Sequence, residues 1–365
     1  MRRNTRRVAR WPAIAAATVI AIALAACSSS STGSGNSNPA PAAASNVVWK
    51  LSSDLPTGVP FNDLYLKAAG TGISSATSGK VKVTEYPANE LYSTQTLAVS
   101  ALETGQVQVV VTQALDVVSL MKAFDGTQVA YLAPTSADYF KIFAPGTAWF
   151  KEASAEAAKL GIELVPIVGA SPGEAGFGFT SKTPSTSLAS LSGLKVRVAG
   201  AGIVTDELQK LGAHTVDLST TEAASGLEDN TVSAALASAA FAAGTLKGVI
   251  HGFYDPGTFQ YGPYFMFVNM KAWNAIGTAS QNAITSELNS QIGNYVTNIA
   301  SEQATARQTL TSEGLWVNSA TAAQVGQFGK ELQPFALSVF QKEDPASYQA
   351  LVQTVKQLNF PLYSS

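Results

Sequence analysis

The stretch that decides the fold is Leu191-Ser192-Gly193-Leu194-Lys195-Val196-Arg197-Val198, which is followed after a short interval by Leu211-Gly212-Ala213. Its valines alternate with charged residues, and this period of two is typical of a β-strand with one face in a core. A helix is predicted over residues 205–211 and a second strand over residues 214–218. A strand, a helix and a strand in succession indicate an α/β fold with mainly parallel sheets.

The same alternation extends toward the amino terminus. One helix is predicted to begin near Phe61, and another to end at Gly105, because glycine commonly terminates helices. A further helix is predicted over residues 153–160, between the amino-terminal elements and the stretch quoted first. The remaining strands are predicted over residues 47–52, 80–84, 106–112 and 162–168.

A long helix is predicted over residues 279–313. Ile284, Leu288 and Ile292 recur every four residues and place one apolar stripe along it. At 1.5 Å per residue the helix would be ~50 Å long, more than the width of a small domain. We therefore expect it to pack against two domains, with two helices broken at Gly293 as the alternative.

Length and composition limit the class of protein. The 365 residues predict about two domains. Apolar residues make up 46% and charged residues 13%, against a usual ~25% charged, which excludes a charge-driven disordered chain and a charged coiled coil. The first 26 residues hold five arginines and no acid; the rest has 18 basic and 25 acidic residues, a net charge of −7. We therefore expect no nucleic-acid partner.

Residues 1–26 have the layout of a secretory signal peptide: basic residues, an apolar run over residues 13–23, and small residues before Cys27. Leu24-Ala25-Ala26-Cys27 resembles a bacterial lipobox, which implies that Cys27 carries the lipid of a mature protein. Residues 27–46 are then a flexible tether. The alternative, a membrane anchor with a chance cysteine, conflicts with an apolar run well short of ~20 residues. An extracytoplasmic protein, lipid-anchored to the outer face of the cell membrane, is predicted.

Candidate catalytic motifs are weak. Gly169-Ala170-Ser171-Pro172-Gly173 matches the nucleophile turn of serine hydrolases. However, the residue after that serine must donate a backbone N–H, and Pro172 has none. His214 and His251 lack metal-ligand spacing. We therefore predict no enzyme, metal or cofactor, with a secreted hydrolase using Ser171 as a remote alternative.

One charged residue is unusual. After residue 26 the chain has sixteen lysines but only two arginines, Arg197 in mid-strand and Arg307 on the long helix. A guanidinium binds carboxylate or phosphate through two parallel hydrogen bonds. The residues alone leave two interpretations of Arg197 open, an anion-binding group and a structural salt bridge.

These stretches together resemble the DctP-like solute-binding proteins of tripartite ATP-independent periplasmic (TRAP) transporters. The resemblance also rests on residues 79–83, 101–107 and 269–273. It implies a periplasmic-binding-protein-like clamp: two α/β domains joined by crossing strands, a ligand cleft between them, and a long helix spanning both. The expected domains are residues 47–173 plus 259–298, and residues 174–258 plus 299–365.

The resemblance also implies site residues. Arg197 matches the family's carboxylate clamp, and Asp54 and Gln113 fall where relatives present polar ligand contacts. Phe177 stands near a position where many relatives have a second arginine. A pocket more apolar than usual is therefore expected, binding a monocarboxylate with an apolar or aromatic body near Phe177, Phe179 and Leu236, with ordinary core as the alternative for those three. Tyr264 and Asn269 are further candidate contacts.

The resemblance implies two partners, a small organic acid and the subunits of a TRAP-type membrane permease. A binding lipoprotein that serves a sensor or another kind of importer is the alternative.

Overall fold

The computed structural model describes residues 46–58, 60–166, 171, 175–200 and 202–363. The predicted signal peptide and Cys27 lie outside these residues. The strands, in chain order, are β1 (Val47–Ser53), β2 (Val81–Tyr86), β3 (Val109–Gln113), β4 (Ile162–Leu164), β5 (Ala175–Phe179), β6 (Lys195–Val198), β7 (His214–Asp217), β8 (Ala234–Ser238), β9 (Gly252–Asp255), β10 (Tyr264–Asn269) and β11 (Trp316–Ser319).

The helices, in chain order, are α1 (Pro60–Lys67), α2 (Ile73–Ala76), α3 (Gln95–Thr104), α4 (Ser136–Ile142), α5 (Ala148–Lys159), α6 (Ile203–Lys210), α7 (Ala223–Glu228), α8 (Ala239–Phe241), α9 (Met270–Ala275), α10 (Gly277–Ser312), α11 (Ala322–Glu343) and α12 (Pro345–Gln357). Gly105 ends α3 as predicted, in a left-handed conformation with φ of +78°. The strand, helix and strand predicted from residue 194 onward are β6, α6 and β7, and β6 pairs with β7 in parallel.

Two sheets organise the described residues. The first has the strand order β2-β1-β3-β10-β4, and the second has the order β11-β9-β5-β8-β6-β7. The second sheet, traversed from β7, repeats the arrangement of the first, with β11 added at the far edge. The predicted α/β class with two domains is therefore confirmed.

Strands β5 and β10 connect the domains. The chain leaves the first sheet after β4 and enters the second as β5; it returns from β9 as β10. Both strands run antiparallel to their two neighbours, whereas the pairs that do not involve them are parallel. The sheets are thus mixed rather than mainly parallel, because each contains one crossing strand that arrives from the other domain.

Helix α10 contains 36 residues and is unbroken at Gly293. Ile284, Leu288 and Ile292 pack in the core of the first domain, whereas Ala306 and Leu310 pack in the core of the second. The predicted long helix spanning both domains is therefore confirmed. Within the described residues, no helix combines the length and apolarity needed to cross a membrane.

The predicted boundary at the carboxyl terminus needs a correction. Helix α11 begins in the second domain, where Phe328 and Leu332 are buried, but its later residue Phe340 belongs to the core of the first domain. Leu351 and Val355 of α12 also lie in that first core. Residues 299–363 are therefore shared between the domains, because the apolar faces of the last two helices turn back onto the first.

Candidate functional site

A cleft of about 550 Å³ opens where the carboxyl ends of parallel strands from both sheets meet. A smaller cavity of about 60 Å³ adjoins it, and Leu115 and Ala199 line both. Ligands of open α/β sheets bind at this kind of edge, because the strand-end loops bring side chains together there. The two spaces together are the candidate binding cleft.

The strands place the polar side chains of the cleft. Asp54 directly follows β1, and Asp116 lies in the helical turn Ala114–Val117 that follows β3. In the second domain, Asp217 ends β7, and Thr220 and Glu222 lie in the loop after it. Each domain therefore contributes acidic groups to the cleft.

Arg197 lies in β6 and lines the small cavity. Its side chain is 3% exposed. Its Nε donates to the carbonyl of Leu218 at 2.8 Å, and Nη1 donates to the carbonyl of Leu236 at 3.3 Å. The remaining nitrogen, Nη2, is buried and has no hydrogen-bond partner. Nε and Nη1 thus fix the orientation of the guanidinium, and Nη2 remains available to donate to a ligand.

The Arg197 guanidinium keeps its charge in this position. Burial lowers its pKa to about 10, while Tyr264 and the nearby carboxylates, chiefly Asp116, act in the opposite direction. The group is therefore protonated at neutral pH. A buried cationic nitrogen without a partner is costly, and an anion would satisfy it.

Asp54 is the most buried acid of the cleft, with 5% exposure. Its Oδ2 accepts hydrogen bonds from the Tyr264 hydroxyl at 3.1 Å and the Thr220 hydroxyl at 3.3 Å. Its Oδ1 is buried without a partner. Burial raises the pKa of Asp54 to about 6, although these hydrogen bonds and Arg197 counteract part of the rise.

Asp116 is half-buried, and its Oδ2 accepts a hydrogen bond from the Thr112 hydroxyl at 2.7 Å. Burial and the charge of Asp54 raise the pKa of Asp116 to about 8. Asp217 and Glu222 lie exposed at the rim, where Asp217 accepts from the Gly200 amide at 2.7 Å. Hydrogen bonds from Ser219 lower the pKa of Glu222.

Four predicted contacts lie in the cleft besides Arg197. Asp54 lines the large part, and Gln113 and Leu236 line the small cavity beside the arginine. Tyr264 is buried and reaches the cleft through its hydrogen bond to Asp54. The structure thus brings these residues together; their roles in ligand binding stay predictions.

The other three predicted contacts lie elsewhere. Phe177 is fully buried in the second domain, with its ring 5.8 Å from that of Phe259. Phe179 packs 5.6 Å from Trp316. Asn269, at the far end of β10 from Tyr264, caps α9 by accepting from the Ala272 amide and donates to a carbonyl of α3.

Phe177 and Phe179 therefore do not line the cleft, and the apolar character of the pocket stays a prediction. The phenylalanines of β5 fill the core of their own domain because their strand is buried on both faces. The large part of the cleft is lined mainly by carboxyl, hydroxyl and amide groups. The small cavity beside Arg197 is also lined by apolar side chains, among them Leu115, Leu236 and Pro263.

Sequence reasoning missed Asp116, Asp217 and Thr220 as cleft residues. A sequence signal was available, because Asp116 and Thr220 each follow a predicted strand and Asp217 lies near the end of one, at the edge where Asp54 and Gln113 were expected.

Ser171 does not occupy a nucleophile position. It is fully buried, and its hydroxyl donates to the carbonyl of Tyr261. A nucleophilic serine would be exposed at the top of its turn. Gly169, Pro172 and Gly173 of the motif lie outside the described residues. Among the residues that are described, no three His, Cys, Asp or Glu side chains are grouped to hold a metal ion.

Sequence comparison gives the family. Residues 65–343 match DctP, the bacterial extracellular solute-binding protein family 7. The chain belongs to this family. The resemblance to DctP-like proteins described from the sequence is thus confirmed. No functionally curated protein matches the chain.

Solved structures of DctP-type receptors share the fold. An extracytoplasmic solute receptor of Bordetella pertussis that binds pyroglutamic acid is 18% identical, with a TM-score of 0.75 over 85% of this chain and 99% of that one. A TRAP solute-binding protein of Desulfovibrio salexigens with bound orotic acid is 15% identical, with a TM-score of 0.76 over 85% and 98%. One from Xanthobacter autotrophicus with β-D-galacturonate is 15% identical, with a TM-score of 0.73 over 84% and 99%.

Proposed function

We propose that this solute-binding protein captures a small organic acid in the cleft, with the ligand carboxylate on Nη2 of Arg197. The observation that carries the proposal is the buried guanidinium with one nitrogen lacking a protein partner. A carboxylate oxygen accepting from Nη2 would form a charge-assisted hydrogen bond in a dry setting. It would also remove the cost of leaving that nitrogen unsatisfied.

The ligands of the similar structures support this class of compound. Pyroglutamic acid, orotic acid and galacturonate each carry a carboxylate. Because the identities are below 20%, they support the class and not a particular acid.

The surrounding charges favour an acid with one carboxylate. Asp54 and Asp116 lie beside Arg197, and each counteracts the lowering of its pKa. A second carboxylate on the ligand would face Asp54, which is mostly ionised at neutral pH because its pKa is about 6, and would be disfavoured by like charge. Dicarboxylates are therefore poor candidates.

A thermal-shift screen of small organic acids tests the proposal, with the primary amide of each acid as its control. The amide keeps the shape of the acid and removes the charge that Arg197 would bind. A ligand present at 100 times its Kd stabilises the folded state by about 2.7 kcal/mol. We expect a raised Tm with at least one monocarboxylate and none with its amide. Equal shifts with both, or shifts only with neutral sugars, would contradict the proposal.

The proposed partner is a TRAP-type permease, and the proposed location is the outer face of the cell membrane, through lipid on Cys27. Family membership and the lipobox-like Leu24-Ala25-Ala26-Cys27 support these statements. Uptake of the identified acid by cells with and without the permease tests delivery. We expect uptake to require both proteins. Uptake that persists without the permease would favour the alternative partner, another kind of importer.

A further inference from the structure

The cleft contains more acid than the capture of a simple anion explains. Its large part is lined by four carboxyl groups, Asp54, Asp116, Asp217 and Glu222, and by no lysine or arginine. Among the described residues of the two linings, Arg197 in the adjoining cavity is the one cation. An anion alone would enter a site of unfavourable sign.

The carboxyl group of Asp54 keeps one acceptor that no protein group bonds. Asp54 Oδ1 is buried without a hydrogen-bond partner, in a side chain that is 95% buried. Arg197 does not pair with it, because the two bonded nitrogens of the guanidinium donate to backbone carbonyls. The site therefore has an unsatisfied acceptor, Asp54 Oδ1, as well as an unsatisfied donor, Arg197 Nη2.

A metal ion does not fit this arrangement. Within the described part of the chain, no group of three or more His, Cys, Asp or Glu side chains is placed to hold one. A single cationic nitrogen needs fewer ligands, since an ammonium donates only three hydrogen bonds and accepts none.

We propose that the natural ligand is zwitterionic: its carboxylate binds Nη2 of Arg197, and a protonated nitrogen of the same molecule binds the carboxylates of Asp54 and Asp116. This inference rests on the proposed function, because it takes the carboxylate to be on Arg197. It adds the second half of the ligand. Asp217 and Glu222 at the rim contribute a negative field that favours the same positive group.

Matched sets of compounds test the inference by isothermal titration calorimetry. The probes are α-amino acids, β-alanine and 4-aminobutanoate. Each amino compound is compared with the acid that has hydroxyl or hydrogen in place of the amino group, and with the methyl ester that keeps only the positive charge. We expect at least one zwitterion to bind ten times or more tightly than either of its partners.

The possible results separate the two proposals. If plain acids bind as tightly as the amino acids and lose affinity in Arg197→Lys, the proposed function stands and the zwitterion inference is wrong. If no acid of either kind binds, both fail. If the methyl esters bind best, the carboxylate clamp is wrong.

Variants locate the cationic half of the site. Asp116→Asn keeps the shape and removes the charge, and we expect it to weaken binding of the zwitterion at least tenfold without weakening binding of the deaminated acid. Asp229→Asn, at an exposed acid away from the cleft, is the control and should leave both affinities unchanged. Equal losses for both compounds in Asp116→Asn would show a merely structural role and overturn the inference.

Proton release gives an independent readout. Since the pKa of Asp116 is raised to about 8, the group is mostly protonated at pH 7, and a neighbouring ammonium would favour its ionised form. Titrations at pH 7 in buffers of different ionisation enthalpy should show protons released to the buffer on binding, and less release in Asp116→Asn. Proton uptake, or no proton change, would mean that the acids do not ionise to meet a positive group, and would overturn the inference.

Discussion

The hydroxyl of Thr220 donates a hydrogen bond to the Asp54 carboxylate over 3.3 Å and so joins the two domains across the cleft. Asp54 follows β1 of the first domain, and Thr220 follows β7 of the second. The same carboxylate accepts from the hydroxyl of Tyr264, on the crossing strand β10. One side chain thus links both walls of the site to a strand that connects the domains.

Thr220→Val should weaken ligand binding. The substitution keeps the shape of the side chain and removes the bridging hydroxyl, whose hydrogen bond contributes about 0.5–1.5 kcal/mol. Losing this link between the two walls of the cleft should lower affinity by about three- to tenfold, measured by calorimetry. Thr221→Val is the matched control, since the Thr221 hydroxyl bonds to the Ser219 hydroxyl of its own loop and not to Asp54. Equal affinities for the two variants would refute the bridging role.

The stability of the unliganded protein should fall as pH rises. A carboxyl whose pKa is raised on folding stabilises the native state fully below its unfolded pKa, near 3.8, and loses that contribution as pH rises through the folded value. For Asp54 that value is about 6, and for Asp116 it is about 8. The other ionisable groups facing them are Arg197, Tyr264, Asp217 and Glu222.

Asp116→Asn isolates one part of this dependence. We expect the Tm of the wild type to fall more between pH 5 and pH 9 than the Tm of the variant, because only the wild type must ionise this half-buried carboxyl. Differential scanning calorimetry at several pH values measures both. Parallel curves for the two proteins would show that the pKa of Asp116 is close to normal.

Gly202→Ala should destabilise the protein by about 1–3 kcal/mol. The glycine has φ of +141°, and a Cβ there would lie 2.5 Å from Asp125 Oδ1 and 2.6 Å from Gln128 Oε1. These two side chains accept from the first amides of α6, Ile203 and Val204. The close approach therefore attaches α6 of the second domain to the first.

Gly193→Ala is the control for Gly202→Ala. It also has positive φ, +76°, but a Cβ there meets nothing within 4 Å. Urea unfolding of both variants should give the larger loss at Gly202. Equal losses would mean that backbone conformation alone requires the glycine.

Cys27→Ser should release the protein from membranes. If Cys27 carries the lipid, serine at this position prevents attachment, and the protein should move from the membrane fraction to the soluble fraction. Mass spectrometry of the wild type should show the mass of a lipidated cysteine. Membrane association that survives in Cys27→Ser would contradict the proposed anchor.

The sequence allowed much of the fold to be predicted, because it depends on patterns along the chain. Alternation around Val196 marked a strand, the four-residue spacing of Ile284 and Leu288 marked the long helix, and Gly105 marked a helix end. The return of α12 to the first domain was not predictable, since its apolar face does not specify which core it enters.

The site was only partly predictable. Arg197 was distinctive because arginine is scarce in the chain, and it lies at the cleft. Asp116 was missed because one polar residue after a strand looks like another until the fold brings them together. Phe177 was misplaced because an aromatic residue suits a core and a pocket equally well, and its own strand is buried on both faces.

The direct test of the account is the affinity of the best acid for Arg197→Lys and Arg307→Lys. Lysine keeps the charge but cannot hold the Leu218 and Leu236 carbonyls and also donate to a ligand in the same geometry. Arg307, which pairs with Asp255 at 2.9 Å, is the matched control. With both variants shown to be folded by circular dichroism, we predict at least a hundredfold loss for Arg197→Lys and wild-type affinity for Arg307→Lys. Wild-type affinity in Arg197→Lys would contradict the account.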